Sequence, residues 1–256
     1  MTVVLMIKAL LENPLQRPNH SYLIDKLDWY FMPAMNPDGY VQSKNDRFWR
    51  KTRSCFDCPT GEKCTGVDAN RNWGYKWRQG EPFEEGDTND PCNDRYQTYR
   101  GPEPFSEIET RNVRDFILAH KDQIKFFNTL HGYGQFILLP WSYTTKEKPS
   151  TYDQIFDLAQ KGNEALFNVH GTNYSIGTPN ELIGYIASGV SFDWALGEAG
   201  IPYAMCLELA PHCEEDDYDC RMKGFMVPKE RIVPNAEEVW AFHERIAELI
   251  ITEFAP

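Results

Sequence analysis

The chemistry-bearing residues begin with an adjacent pair, Asn70-Arg71, inside the polar run Gly66-Val67-Asp68-Ala69-Asn70-Arg71-Asn72-Trp73. The run is poor in helix formers and in core residues, which places it in a loop or at a strand end. Asn donates through its amide and Arg offers a rigid fork of donors, so the two can hold one anionic group between them. From these residues alone a polar surface turn with Arg71 in an ion pair is the more ordinary reading. His131 stands between Leu130 and a Gly-Tyr-Gly turn, as a metal ligand or as a hydrogen-bonded structural histidine. Glu208 is the one carboxylate in the apolar segment Tyr203–Leu209. Desolvation there would raise its pKa toward general-base use, unless it serves a structural ion pair. Arg50, beside Trp49 and Lys51, could stabilise a developing oxyanion or pair with an acidic side chain. Tyr185, between Gly184 and Ile186, could donate to a substrate or cap a packing cluster.

The elements that must position these residues alternate between helix and short apolar strand. The opening residues Met1–Leu11 read as an amphipathic helix ending near Asn13-Pro14. They lack the basic start and cleavage site of a signal peptide. Leu27–Pro33 reads as a buried strand running into a turn at Asn36-Pro37-Asp38-Gly39. Ser106 is the expected cap of a helix continuing to about His120. Ile124–Leu130 is a strand that delivers His131, and Phe136–Pro140 is a second. Helices follow over 150–170 and from Ser191 toward Gly200, then the strand Tyr203–Leu209 and a last helix from about Ala236 to Phe254. This alternation implies an α/β class with a largely buried sheet, and no repeat or linker divides the chain. One domain is expected over 1–256.

The formal charge of −12 argues against a nucleic-acid partner, which needs a basic face. No apolar stretch approaches the ~20 residues of a membrane span. All of the seven cysteines but Cys206 lie in polar, turn-rich sequence, the usual setting of disulfides in a secreted protein. Cys55, Cys58, Cys64 and Cys92 could instead form a four-thiolate zinc site, but a second Cys-x-x-Cys is absent and the spacing is loose. The sequons Asn19-His20-Ser21 and Asn173-Tyr174-Ser175 also fit a secretory route.

Taken in order, these residues sit in words that resemble the zinc metallocarboxypeptidases of the carboxypeptidase A type over nearly the whole chain. The words are Asn36-Pro37-Asp38-Gly39-Tyr40, Phe48-Trp49-Arg50-Lys51-Thr52-Arg53 and Gly66–Trp73. They continue with Thr129-Leu130-His131-Gly132-Tyr133-Gly134-Gln135, Ala187-Ser188-Gly189 with Asp193-Trp194, and Leu207-Glu208-Leu209. The resemblance implies a three-layer α/β/α fold with a mixed sheet, and release of C-terminal residues from peptides by a secreted, monomeric enzyme with one Zn2+. It implies that His131 is a zinc ligand, Glu208 the general base and Arg50 the group that polarises the scissile carbonyl. Asn70 and Arg71 would clamp the substrate carboxylate, with Tyr185 closing over it and Arg47 in a binding role. Phe192 matches a residue of the pocket for the C-terminal side chain, and its apolar ring favours aliphatic or aromatic substrates. Cys64 and Cys92 match a disulfide of the family, Cys55–Cys58 and Cys213–Cys220 look like further pairs, and Cys206 remains as a buried thiol.

The family's other two zinc ligands come from a His-x-x-Glu motif placed before the helix with which this chain begins. The only such spacing here, His212-Cys213-Glu214-Glu215, is out of order in an acidic run and reads as coincidence. The expectation is therefore that Met1 is an internal methionine of a longer enzyme. The early strands of the family sheet would then be missing here, and zinc weakly held or absent. The alternative is a relative that binds peptide C-termini without hydrolysing them.

Overall fold

The computed structural model describes residues 1–12, 18–55, 64–79, 89–92, 97–213 and 224–254, with the side chains of 12 and 18–20 left aside. Its centre is β4, Tyr203–Leu209, an apolar strand whose first five residues are buried. β1, Phe126–Gly132, runs parallel to it on one side. β2, Phe136–Leu138, runs antiparallel on the other, and β3, Ser175–Gly177, pairs parallel with β2. The order β1-β4-β2-β3 is a mixed sheet.

Because side chains alternate across a strand, β4 splits its residues between two cores. Tyr203, Met205 and Leu207 face a layer made by α5, Tyr152–His170, and α8, Ile232–Phe254. There they meet Ile155, Leu158, Leu166, Phe242 and Ile246. Gly162 lets the two helices approach, since a Cβ on it would lie 2.5 Å from the Phe242 ring. Ala204 and Cys206 face the opposite layer, with Phe192 and Trp194 of α7, Ser191–Gly197, and Ile117 of α4, Ile108–His120. Helix, sheet and helix thus form the three expected layers. By the same alternation Glu208 falls on the α7 side, and this is what exposes it to the polar run at 66–73.

The helix over 2–12 (α1, Thr2–Glu12) forms where its amphipathic pattern places it, with Met6 and Leu10 packed on Val239 and Trp240 of α8. A second helix, α2, covers Pro18–Lys26. Leu27–Pro33 is not a strand. Leu27, Trp29 and Phe31 are half-buried and alternate with exposed Asp28, Tyr30 and Met32, the pattern of a strand, but no ladder partner stands beside them among the described residues. Trp29 stacks instead on Phe31 and tilts onto Trp240. The expected turn at Asn36–Gly39 opens a short helix, α3, Pro37–Gln42, because Asn36 caps it and Pro37 suits its first position. Ser106 does not cap α4; Glu107 takes that position, and the Ser106 hydroxyl donates to the Glu107 carboxylate. A small helix, α6, Pro179–Ile183, follows β3 behind a complete Thr178/Glu181 capping box.

Candidate carboxylate-binding site

The polar run folds as a pinned turn. Gly66 has a φ of +80, and a Cβ there would lie 2.0 Å from the Thr52 carbonyl oxygen, so the position suits glycine. The Thr52 N–H donates to Val67 O and the Gly66 N–H to Ser54 O, laying the run beside 52–54. Asp68 then caps a single 3-10 turn, Ala69–Arg71, by accepting the Asn70 N–H at 2.9 Å. On the far side Asn72 is fully buried. Its amide donates toward Arg100 O, Glu103 O and Ser106 Oγ, and its Oδ1 accepts from Glu107 N and the Thr110 hydroxyl. Trp73 is wedged against Trp194 and Phe105, and its backbone N–H donates to Gly189 O at 3.0 Å. Anchored at both ends, the turn leaves Asn70 and Arg71 side by side over the sheet.

Which way the Asn70 amide faces is set by α7. Its Oδ1 accepts the Ser191 N–H at 2.9 Å, so Nδ2 is the group turned to the site, 3.4 Å from His131 Nε2. Arg71 is 5% exposed, gives Nη1 to Asn70 O at 3.0 Å, and has a buried Nε with no partner among the described residues. An unpartnered buried guanidinium donor is a costly arrangement unless an acceptor arrives.

His131 and Glu208 meet because β1 and β4 run parallel with these two residues in register. His131 Nδ1 lies 4.0 Å from Glu208 Oε1. Burial, with Arg50 and Arg71 adding to it, pushes the His131 pKa down to about 4, so the ring is neutral near pH 7. Burial pushes the Glu208 carboxyl up to about 7, with Arg50 and Arg71 pulling the other way. A carboxylate poised there can take a proton at neutral pH.

Arg50 completes the group. Its Nε donates to Asp68 Oδ2 at 2.7 Å and its backbone N–H to Gln97 Oε1 at 2.7 Å. Desolvation opposes its charge, but Asp68, aided by Tyr185 and Glu208, raises its pKa above the ordinary value. Tyr185 is half-buried and packs against the core that holds Phe192. Arg47 stands apart on the exposed rim, where it donates to Phe225 O, and Phe225 packs edge-on against Tyr133 and Phe48. Phe192 is buried among Leu138, Ala187, Val190 and Cys206. Asp68 was not singled out as a site residue from sequence, although an Asp two residues before Asn70 is the pattern of a turn cap.

Cys64 and Cys92 form a disulfide, and Cys55 and Cys213 are disulfide-bonded as well, which overturns the four-thiolate zinc reading. Cys58 and Cys220 lie outside the described residues. Cys206 is the buried free thiol. His212 turns its ring to Gly134 O at 3.1 Å and donates its N–H to Gln135, while Glu215 lies outside the described residues. Among the described residues no three His, Cys, Asp or Glu side chains converge to hold a metal. His131 alone does not make a zinc site, since catalytic zinc takes three protein ligands. No described helix is long and apolar enough to cross a membrane.

A three-layer α/β/α fold with a carboxylate, a histidine and two guanidinia at the sheet's α7 face defines an α/β protein with a site suited to an anion. The comparisons narrow it: the profile of the zinc carboxypeptidase family matches residues 1–242, and the chain belongs to that family. It is 40% identical over 229 residues to a carboxypeptidase B of Astacus astacus, covering 89% of this chain and 69% of that one. It is also 40% identical over 232 residues to carboxypeptidase A2 of Rattus norvegicus, covering 90% of this chain and 50% of that one. The chain thus spans between half and about two thirds of these relatives' length. In structure it resembles thrombin-activatable fibrinolysis inhibitor, with a TM-score of 0.84 at 27% identity over 98% of this chain and 58% of that one. It also resembles the carboxypeptidase A of Helicoverpa armigera, with a TM-score of 0.72 at 27% identity over 88% of this chain and 51% of that one.

Proposed function

We propose that this chain supplies the carboxylate clamp and the general base of a metallocarboxypeptidase that releases aliphatic or aromatic C-terminal residues from peptides. One observation carries the reading: the Asn70-Arg71 turn sets the Asn70 amide, 3.4 Å from His131 Nε2, and an unpartnered Arg71 Nε beside a carboxyl whose pKa is pushed up to about 7. The terminal carboxylate of a peptide would take the Asn70 amide and the Arg71 fork, and Tyr185 would cover it. An internal peptide bond brings no such anion, so the clamp selects chain ends. Arg50, with Nε engaged by Asp68, keeps its terminal NH groups for the carbonyl oxygen next to the scissile bond, where negative charge develops. Glu208 accepts a proton from the attacking water. Arg47 borders the approach of the upstream peptide. The apolar setting of Phe192 supports an aliphatic or aromatic side chain at the end.

The family's chemistry uses one Zn2+. In this proposal His131 is the described residue that would touch the ion, and zinc is weakly held by the chain. An extracellular location is supported by the disulfides, and the partners are peptide C-termini met by a monomer.

The absence of a three-ligand cluster among the described residues favours a second reading, a protein that binds peptide C-termini without cleaving them. Metal analysis of the purified chain with hydrolysis of hippuryl-phenylalanine in added zinc separates the two. Release of phenylalanine that Glu208→Gln abolishes supports catalysis. Binding with no release supports the second reading, and turnover that survives Glu208→Gln contradicts the role of the base.

A further inference from the structure

Asp68 faces no substrate, yet the groups that do are tied to it. The residue is 3% exposed. Its Oδ1 accepts the Asn70 N–H at 2.9 Å and so closes the turn that carries Asn70 and Arg71. Its Oδ2 accepts Arg50 Nε at 2.7 Å, and Arg71 Nη1 lies 3.9 Å from the same oxygen. Burial opposes its charge, but the two guanidinia outweigh burial and hold the carboxyl below its ordinary value. We propose that Asp68 is the positioning residue of the site, a single buried carboxylate that aims both guanidinia and the clamp turn.

The geometry separates this role from two simpler ones. A guanidinium tethered through Nε can present only its terminal NH groups, so Asp68 fixes both the direction and the face that Arg50 offers. Together Arg50, Arg71 and Asp68 carry one net positive charge, which one incoming carboxylate neutralises. If Asp68 only screened charge, its removal would strengthen anion binding by Coulomb attraction. If it only capped the turn, Asp68→Asn would keep that function, because the Asn side-chain oxygen still accepts the Asn70 N–H. Positioning requires the opposite of the first and more than the second: loss of the charged acceptor frees Arg50 and weakens carboxylate binding.

The test uses the whole chain, 15N-labelled, in wild type and Asp68→Asn, with near-UV circular dichroism as the check on folding. Asp68 as the hub requires a slowly exchanging, downfield Arg50 Nε–H in the wild type that Asp68→Asn returns to solvent-like exchange. It also requires N-acetylphenylalanine to bind Asp68→Asn about tenfold or more weakly, with the affinity of N-acetylphenylalaninamide unchanged. An Arg50 Nε–H that exchanges freely in the wild type overturns the proposal without any variant. Equal or tighter binding of the acid by Asp68→Asn overturns it as well. The binding arm rests on the carboxylate reading above. If wild type does not prefer acid to amide, that reading fails, and the Arg50 signal alone decides the role of Asp68.

Discussion

Around His131 three charges and one poised carboxyl share a few ångströms, and their pKa values fix how the site responds to pH. As pH rises through about 7, Glu208 loses its proton and places a negative charge facing Arg50 and Arg71. A ligand carboxylate should therefore bind more weakly above pH 7 than below it, and Glu208→Gln should flatten that profile. Calorimetric affinity for N-acetylphenylalanine between pH 6 and 8.5 checks this, and an unchanged slope in the variant would place the titration elsewhere. Asn70, Arg71, Arg50, His131 and Glu208 stand out in sequence through the words that resemble the carboxypeptidases, and the structure brings them close together. The contact that unites them was not legible. Asp68 reaches Arg50 across a separation of 18 residues, and the Ser191 N–H that orients Asn70 lies 121 residues away. No local pattern records pairings that only the tertiary fold creates.

At the level of elements, close approaches hold the turn to α7. Gly189 has a φ of +69, and a Cβ there would lie 2.4 Å from the Arg71 carbonyl oxygen. Gly189→Ala should lower stability by about 1–3 kcal/mol through strain and overpacking and should weaken carboxylate binding. Thermal melting with the binding assay checks both, and a native melt with native affinity would show that the approach is not rigid. On the other face of the sheet, His243 of α8 is buried between the Val239 carbonyl and the Asn128 amide. Burial lowers its pKa to about 4, against an ordinary value near 6.5. A lowered histidine contributes stability that is fully present above about pH 6.5 and lost as pH falls toward 4, up to about 3 kcal/mol. Urea unfolding at pH 7 and pH 5 should show this loss, and His243→Gln should reduce it. Local signals read α1, α5, α7 and β4 well, because their periodicity and their burial agree. They misread Leu27–Pro33, whose alternation suits a strand, because a strand is made by its neighbour and none stands there among the described residues. Asn36-Pro37-Asp38-Gly39 reads locally as a turn, and the same Asn36 and Pro37 open α3 instead.

Over the whole molecule, three layers place one polar turn, two strand residues and a helix start at a single face. The Cys64–Cys92 bridge ties the segment after the clamp to the chain before it across 28 residues. Removing it alone, in a Cys64→Ala/Cys92→Ala double variant, should cost about 2–4 kcal/mol by loop entropy, seen as a lower melting temperature; an unchanged melt would assign the bridge no role in holding this face. The α/β class followed from the alternation of helices and apolar strands, and the three-layer order from the resemblance to the carboxypeptidases. The proposed function rests on the Asn70-Arg71 turn recognising a free C-terminal carboxylate. Its most direct test is the equilibrium affinity of hippuryl-phenylalanine against its C-terminal amide, in the wild-type chain and in Arg71→Ala. The acid should bind at least about tenfold tighter than the amide, and Arg71→Ala should erase the difference. Equal affinities in the wild type, or a preference that survives Arg71→Ala, would contradict it.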